Sequence, residues 1–290
     1  MLNDPKGVAA ESLAAAPVAV TTTSTSADIA MRYPIPASFE TDARWTKTDI
    51  PHDGNFSGGA WYVNERDELA FKKPGLARPT GSLEAFREAV CSVIATWLDV
   101  NVPEIKLWTC PTAGPSSLSL ALGPTVRKYA ELLAGKRFAD IRERALVALE
   151  QHVGQMLVFD ALVHAEDRNN HTNYLFVEET CTWHSIDYGL SFASKLVPYG
   201  IGDPQTPYEY RYMDDIRERL RVARRPIRVA REVAGNIPDE AIDRLVGLPP
   251  ASFASDRERA EAAAFLKDRR SRIEEILDTW GKATGLSGVL

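Results

Sequence analysis

Apolar positions in the first part of the chain are spaced as in a small lobe of strands and one helix. Two aromatic and aliphatic runs, Trp61-Tyr62-Val63 and Leu69-Ala70-Phe71, flank a polar turn, which predicts a β-hairpin over residues 56–76. Residues 82–98 carry apolar side chains at helical spacing, and residues 105–108 resemble another short strand. This lobe is expected to end near residue 115.

The second part of the chain has mainly helical patterns. Residues 139–165 carry a long apolar stripe that predicts a buried central helix, in which Gly154 is a candidate break point. Two short strands are predicted at 174–177 and 183–186, and one long amphipathic helix at about 255–281. The pattern predicts an α+β protein with a small β-rich N-lobe and a larger, mainly helical C-lobe.

Three segments follow from these patterns. Residues 1–30 are small and polar without an aromatic anchor, which predicts a disordered tail, although an uncleaved export signal has the same composition. The N-lobe is assigned to residues 31–115 and the C-lobe to residues 116–290.

Composition excludes several classes of protein. In 290 residues no run approaches eighteen consecutive apolar positions, so no membrane span is predicted. A net charge of −6 makes nucleic acid an unlikely partner. Cys91, Cys110 and Cys181 are far apart and odd in number, which favours a reducing compartment and a cytoplasmic location over a disulfide framework.

The densest polar segment is the candidate for chemistry. It runs from Glu166 to Asn173, between the apolar helix and the first of the two later strands, and Asp187 follows Asn173 by 187 − 173 = 14 residues. A hairpin returns its ends to one place, so Asp167, Asn173 and Asp187 are expected to lie close together. Carboxylate and amide oxygens suit Mg²⁺ when substrate phosphates complete its coordination.

Phosphoryl transfer needs three further parts, and the first lobe offers one of each in the required order. Lys72 or Lys73 ends a strand and is the candidate for holding phosphates. Glu88 lies on the following helix, where it could orient that lysine. The turn Ser57-Gly58-Gly59 precedes the strands and is the candidate for backbone contacts with phosphates.

These motifs resemble the atypical kinases grouped with phosphatidylinositol 3-/4-kinases and HipA-like kinases. In those families Asp-Arg/Gly-x-x-x-Asn replaces the catalytic loop of protein kinases, and Asp-x-Gly replaces their Asp-Phe-Gly. Here the corresponding stretches are Asp167 to Asn173 and Asp187-Tyr188-Gly189. Phe71-Lys72-Lys73-Pro74 and Phe86-Arg87-Glu88-Ala89 are similar to the first-lobe motifs, and the resemblance covers about residues 55–280.

The resemblance implies a two-lobed protein-kinase-like fold that binds ATP and Mg²⁺ between its lobes. It assigns Asp167 as the catalytic base, Asn173 and Asp187 as Mg²⁺ ligands, and Lys73 as the contact to the ATP phosphates. Glu88 would pair with that lysine. The nucleotide loop would be Ser57, Gly58 and Gly59.

Two departures from the family leave alternatives open. The family places Asn five residues after the loop Asp, whereas here 173 − 167 = 6, so either the loop has an insertion or Asn170 takes the metal role. The proline after Lys73 favours that lysine, but Leu69-Ala70-Phe71-Lys72 matches the common kinase pattern and favours Lys72. Strand alternation puts the two lysines on opposite faces, so only one can contact ATP.

The expected activity is transfer of a phosphoryl group from ATP to a hydroxyl, with a protein Ser/Thr as the first choice of acceptor. A lipid or small polyol is the second choice. The alternatives are a catalytically dead pseudokinase that acts as a nucleotide-binding interaction module, and a nucleotidyltransferase on the same fold.

Overall fold

A five-stranded antiparallel sheet forms the first lobe, with strand order β1-β2-β3-β5-β4. The strands are β1 Trp45–Lys47, β2 Ala60–Asn64, β3 Leu69–Lys72, β4 Ile105–Cys110 and β5 Gly114–Leu120. The computed structural model describes residues 26–51, 59–73, 83–134, 138–165, 168–192, 200–209 and 212–287. The predicted hairpin is β2 and β3, which pair from Ala60 opposite Lys72 to Val63 opposite Leu69.

The first sheet extends beyond the predicted lobe boundary. Residue 115 lies inside β5, which pairs with β3 and β4 and ends at Leu120. The sequence Gly114-Pro115-Ser116-Ser117 has no alternating apolar pattern, so it resembled a loop. Its pairing with β4 instead starts from a tight turn in which Gly114 has a φ of +71°.

One helix, α2 (Leu83–Trp97), packs against this sheet and is buried on nearly every side. Its buried residues include the charged pair Arg87 and Glu88 as well as the predicted apolar stripe. A short helix, α1 (Ser26–Arg32), begins within the segment that was predicted to be a disordered tail. Residues 1–25 lie outside the described residues.

The segment after α1 ties α2 to the second lobe. Tyr33 packs edge-on against Trp97 at the end of α2, and its hydroxyl donates to the carbonyl of Asn236, 3.0 Å away. The Trp97 indole donates in turn to the carbonyl of Pro34 at 2.9 Å. These contacts help to fix α2, and with it Glu88, relative to the helical lobe.

The second lobe combines a three-stranded antiparallel sheet with helices. The sheet has the order β6-β7-β8, with strands β6 Val126–Lys128, β7 Tyr174–Val177 and β8 Thr182–Ser185. The helices are α3 Tyr129–Ala134, α4 Ala139–Val163, α5 Asp214–Leu220, α6 Arg224–Gly235, α7 Asp239–Gly247, α8 Asp256–Ser271 and α9 Ile273–Thr284. The long C-terminal helix that was predicted is therefore two helices, which separate at Arg272.

The central helix α4 is continuous through Gly154. A Cβ at this position would lie 2.8 Å from the Cβ of Pro226 and 3.1 Å from the Cβ of Ala223. The glycine thus permits close packing of the α6 region against α4 and does not break the helix. Within the described part of the chain, α4 alone is long and apolar enough to cross a membrane, but 72% of its most apolar window is buried inside the protein, as in a core helix.

Candidate active site between the two lobes

A lysine and two carboxylates from distant parts of the chain meet between the lobes. Lys73 directly follows β3, and its Nζ donates a hydrogen bond to Glu88 Oε1 on α2. The same Nζ lies 3.1 Å from Asp187 Oδ1, which follows β8. Glu88 is almost fully buried, whereas about a quarter of the Lys73 and Asp187 side chains is accessible. The cluster is therefore anchored inside the protein and open on one side.

The two candidate lysines face different environments. Lys72 is the last residue of β3 and is buried on the opposite side of the strand, where its charge acts on the Cys110 thiol of β4. Lys73 is the lysine that contacts Glu88 and Asp187. Because successive side chains of a strand point to opposite faces, Lys72 and Lys73 lie on opposite sides, as the sequence predicts.

Glu88 also binds the backbone of the Asp187-Tyr188-Gly189 turn. Its Oε1 accepts hydrogen bonds from the amides of Tyr188 at 3.2 Å and Gly189 at 3.1 Å. One carboxylate therefore sets the position of both the lysine and the turn.

The electrostatics of the cluster favour the charged forms of Lys73 and Asp187. Burial alone would lower the pKa of Lys73, but the carboxylates of Glu88 and Asp187 raise it above its usual value. Burial alone would raise the pKa of Asp187, but Lys73 and then Arg168 hold it below its usual range. Lys73 thus serves as the counter-ion of two carboxylates.

Asn173 lies beside Asp187 across the β7–β8 hairpin. Its carbonyl accepts a hydrogen bond from the amide of Ile186 at 3.1 Å, and the residue is 2% exposed. The side chain of Asn170 instead caps the 3-10 turn His171–Asn173, accepting from the amide and the hydroxyl of Thr172. This turn occupies the Asn170 side chain, whereas the main chain of Asn173 adjoins that of Ile186, next to Asp187; Asn173 therefore stays the preferred candidate of the two.

Three residues of the predicted site lie outside the described residues: Ser57, Gly58 and Asp167. Gly59, the last residue of the predicted nucleotide loop, is described and precedes β2. A Cβ on Gly59 would lie 2.4 Å from Phe71 Cζ, so only glycine permits the contact with this ring.

The donors present fit a magnesium ion that is shared with a phosphate. Within the described ranges, no three His, Cys, Asp or Glu side chains form a preformed metal cage. The hairpin supplies one carboxylate, from Asp187, and one amide, from Asn173. Mg²⁺ is usually held by one or two protein carboxylates together with phosphates and water, which this donor set matches.

Two buried arginines of the site were not predicted from the sequence. Arg87 donates to the carbonyl of Gly189 at 3.1 Å and to that of Gly200 at 2.7 Å. Arg168 donates to the carbonyls of Ile186 at 3.0 Å and Asp187 at 3.1 Å. Each arginine adjoins a motif acid, but nothing in the apolar pattern marks either as buried.

A small cleft adjoins the cluster. Its apolar lining comes from Val102, Pro103 and Ile105 of the first lobe and from Ile186 of the second. Glu88 and Asp187 form part of the same lining, so the charged cluster and the apolar surface are continuous.

Comparisons with known proteins bear on the fold. No protein-family model and no curated protein matches the sequence. The Helicobacter pylori proinflammatory kinase CtkA superposes with a TM-score of 0.54 at 15% identity, covering 83% of this chain and 97% of that one. The Golgi casein kinase has a TM-score of 0.46 at 12% identity, covering 92% and 78%. The FAT and kinase domain of CtTel1 has a TM-score of 0.44 at 10% identity, covering 80% and 21%.

The fold defines the class of protein. A β-sheet lobe with one packed helix is followed by a mainly helical lobe, and the chain superposes on a solved kinase over most of its length. The chain has a two-lobed, α+β, atypical kinase-like fold. The fold that the sequence motifs predicted is confirmed.

The Glu88 contacts lead to a prediction about stability. Glu88→Gln keeps a side-chain oxygen but removes the charge that faces Lys73, and it is expected to lower the free energy of unfolding by about 1–3 kcal/mol. It should also lower the pKa of Lys73, because Asp187 becomes its only carboxylate partner in the cluster. Urea unfolding measures the first effect, and the pH dependence of Lys73 acetylation measures the second.

A surface ion pair provides the control for this prediction. Glu104 pairs with Lys106, and both side chains are substantially exposed. Glu104→Gln is expected to change the free energy of unfolding by less than about 0.5 kcal/mol. Equal effects of the two substitutions would contradict the structural role of Glu88.

A buried carboxylate on α4 predicts a pH dependence. Asp160 is fully buried and accepts a hydrogen bond from the Tyr212 hydroxyl at 2.7 Å. Burial raises its pKa to about 6, although Arg168 and Tyr212 oppose the shift. The folded protein therefore binds this proton more tightly than the unfolded chain does. The resulting stabilisation is present below the unfolded pKa near 4 and is lost as the pH rises through about 6.

Asp160→Asn cannot ionise and should not show this loss. The free energy of unfolding of this variant, minus that of wild type, is expected to rise by about 2 kcal/mol between pH 4 and pH 7, because of the difference between the two pKa values. Urea unfolding across this pH range measures the difference, with the exposed Asp203→Asn as control. A pH-independent difference between Asp160→Asn and wild type would contradict the assignment.

Proposed function

We propose that the protein is an ATP- and Mg²⁺-dependent phosphotransferase that phosphorylates a hydroxyl, with a protein Ser or Thr as the acceptor. The observation that carries the proposal is the contact of Lys73 with both Glu88 and Asp187 in a chain with a kinase-like fold. Phosphoryl transfer relies on positioning and charge stabilisation, and it needs a cation held in place beside a metal-binding carboxylate.

Lys73 is proposed to contact the ATP phosphates. Its ammonium group is fixed by Glu88, which is buried and also bound to the Tyr188 and Gly189 amides, so the lysine is held in position before nucleotide binds. Its other partner, Asp187, would exchange the lysine for a metal ion. Lys73 would then be free to turn toward the phosphates without losing the Glu88 contact.

Asp187 and Asn173 are proposed to hold the magnesium ion through a carboxylate and an amide oxygen. When bound, Mg²⁺ neutralises the charge that develops on the phosphate oxygens. The positive φ of Asp187 and the hydrogen bonds to its neighbours fix the direction of this carboxylate.

Asp167 is proposed to accept the proton of the acceptor hydroxyl, on the basis of the resemblance to atypical kinases. In the proposed reaction the hydroxyl oxygen forms a bond to the γ-phosphorus, while the bond from that phosphorus to the β–γ bridging oxygen breaks and releases ADP. The proton of the hydroxyl passes to Asp167. A protein acceptor is proposed because the resemblance to HipA-like kinases implies one. A cytoplasmic location is proposed as well, since the three cysteines are unpaired.

Labelled ATP tests the proposal and separates its alternatives. The protein is incubated with Mg²⁺ and with ATP labelled at either the α or the γ phosphorus, together with casein or with phosphatidylinositol vesicles. We expect label from γ-ATP on protein, its absence with EDTA, and no label from α-ATP. Label from α-ATP would indicate a nucleotidyltransferase, and label in lipid would change the acceptor class. A thermal shift with ATP and Mg²⁺ without transfer would indicate a pseudokinase.

A further inference from the structure

Every peptide group in the turn that carries Asp187 is held by a charged side chain. Arg168 binds the carbonyls of Ile186 and Asp187, and Glu88 binds the next two amides, those of Tyr188 and Gly189. Within this turn Asp187 has a φ of +70°, a conformation that costs free energy for a residue with a side chain. Such a conformation persists when the surrounding contacts over-determine it.

Of the two side chains that hold this turn, Glu88 comes from the first lobe and Arg168 from the second. The Arg168 side chain is fully buried, and its Nη1 also lies 3.4 Å from the Tyr188 hydroxyl. The guanidinium packs on the Tyr188 ring at 4.7 Å from the ring centroid. The main chain of Arg168 is fixed as well, because its carbonyl accepts from the Tyr174 hydroxyl at 2.7 Å. The residue thus joins the polar loop before β7 to the turn after β8.

The charge of Arg168 has a buried counterpart on α4. Burial disfavours the guanidinium ion, but Tyr188 and Asp160 favour it and raise its pKa above the usual value. Asp160 is itself oriented by Tyr212, whose hydroxyl also hydrogen-bonds with that of Tyr208. A buried charge of this kind is retained only with such compensation.

We propose that Arg168 is a positioning residue that fixes the main chain at Asp187 through its hydrogen bonds to the carbonyls of Ile186 and Asp187. The residue touches neither nucleotide nor acceptor in this account. It acts by holding the Asp187 carboxylate in one direction, and it links the segment before β7 to the turn that carries Asp187. Its effect on catalysis rests on the proposed function, whereas its effect on the turn does not.

Arg269 provides a matched control. It is equally buried in the second lobe, and its guanidinium donates to the carbonyls of Ala161, Pro204 and Thr206. It packs on an aromatic ring, that of Phe265, as Arg168 does on Tyr188. Arg269→Met therefore removes a buried arginine that binds carbonyls without touching the Asp187 turn.

The first measurement uses the nucleotide-free protein and does not depend on activity. Hydrogen exchange is followed in the peptide that covers Ile186–Leu190, for wild type, Arg168→Met/Asp160→Asn and Arg269→Met. The double variant removes both buried charges together. We expect at least tenfold faster exchange in this peptide for the double variant, relative to α9, and no such local change for Arg269→Met. Unchanged local exchange in the double variant would overturn the proposal.

The second measurement separates positioning from general stability. Relative to wild type, we expect the double variant to lower kcat at least about a hundredfold and to leave the KM for ATP within about threefold. The Mg²⁺ concentration that gives half of the maximal ATP-induced thermal shift should rise about tenfold. Arg269→Met should lower the melting temperature without these changes. Equal losses of kcat in the two variants would overturn the proposal.

A third variant covers the case in which the double variant does not fold. Arg168→Lys keeps the positive charge but replaces the planar fork, whose Nη2 reaches both carbonyls and whose Nη1 reaches the Tyr188 hydroxyl, with one nitrogen on a shorter side chain. We therefore expect near-normal stability with faster exchange in Ile186–Leu190. Wild-type exchange in this variant would overturn the proposal. If wild type transfers no phosphate while exchange responds as expected, the proposed function fails and the positioning role stands.

Discussion

Asp187→Asn is expected to lower the rate of phosphoryl transfer about a thousandfold, which would be among the largest effects of any single substitution in this protein. The substitution removes the carboxylate charge that would hold Mg²⁺ against the phosphates, and one such electrostatic contact is commonly worth a hundredfold to a thousandfold in rate. The variant should still fold, because an asparagine oxygen can accept from Lys73 and asparagine tolerates the positive φ. Initial rates with labelled ATP and a thermal melt measure the two effects.

Asp99→Asn is a matched control for this substitution. Asp99 also has a positive φ, of +57°, and its carboxylate accepts a hydrogen bond from the Gln155 amide at 2.8 Å. This contact lies away from Lys73, so the activity of the control should stay within about twofold of wild type. Retained transfer by Asp187→Asn would count against the metal role of Asp187.

Lys73→Ala is expected to lower kcat/KM for ATP about a hundredfold, because it removes the ammonium group that is proposed to contact the ATP phosphates. Removing one partner of a buried, hydrogen-bonded charge pair typically costs about 2–5 kcal/mol. Some of this cost also lowers the stability of the fold, since Glu88 and Asp187 lose their shared cation. Kinetics are therefore measured at a temperature at which a thermal melt shows the variant to be folded.

Lys72→Ala is the control, because it truncates the neighbouring lysine on the opposite face of the strand. We expect its kcat/KM to stay within about fivefold of wild type. A larger loss for Lys72→Ala than for Lys73→Ala would transfer the phosphate-binding role to Lys72.

Sequence patterns predicted a helix or strand correctly where apolar periodicity marked it clearly. The helix expected at 82–98 is α2, Leu83–Trp97, and the strand expected at 174–177 is β7. Apolar periodicity marks such elements because burial of one face stabilises them. The end of the first sheet was placed too early, because β5 gains its stability from pairing with β3 and β4 and has no alternating pattern of its own.

The prediction was wrong at two further points, one at a glycine and one in the length of a helix. Gly154 was a candidate break because glycine has low helix propensity, yet here its missing side chain lets Ala223 and Pro226 approach α4. The single helix expected at 255–281 divides at Arg272. The Gly154 outcome depends on contacts between elements, which periodicity along one element does not contain.

For the site, motif order predicted the pairing of Glu88 with a lysine at the end of a strand, and Lys73 contacts both Glu88 and Asp187. The expected meeting of Asp167 with Asn173 and Asp187 stays a prediction, because Asp167 lies outside the described residues. Arg87 and Arg168 were missed because a buried arginine looks like a surface residue until its carbonyl partners are known. The preference for Asn173 over Asn170 stays a prediction, which the 3-10 turn supports because it occupies the Asn170 side chain.

The most direct test of the account is a crystal structure with a non-hydrolysable ATP analogue and Mn²⁺, whose anomalous signal locates the metal. We expect a manganese peak within about 2.5 Å of side-chain oxygens of Asp187 and Asn173, with the Lys73 ammonium on a phosphate and still bound to Glu88. Triphosphate bound elsewhere, or a metal ion that neither Asp187 nor Asn173 touches, would contradict the account.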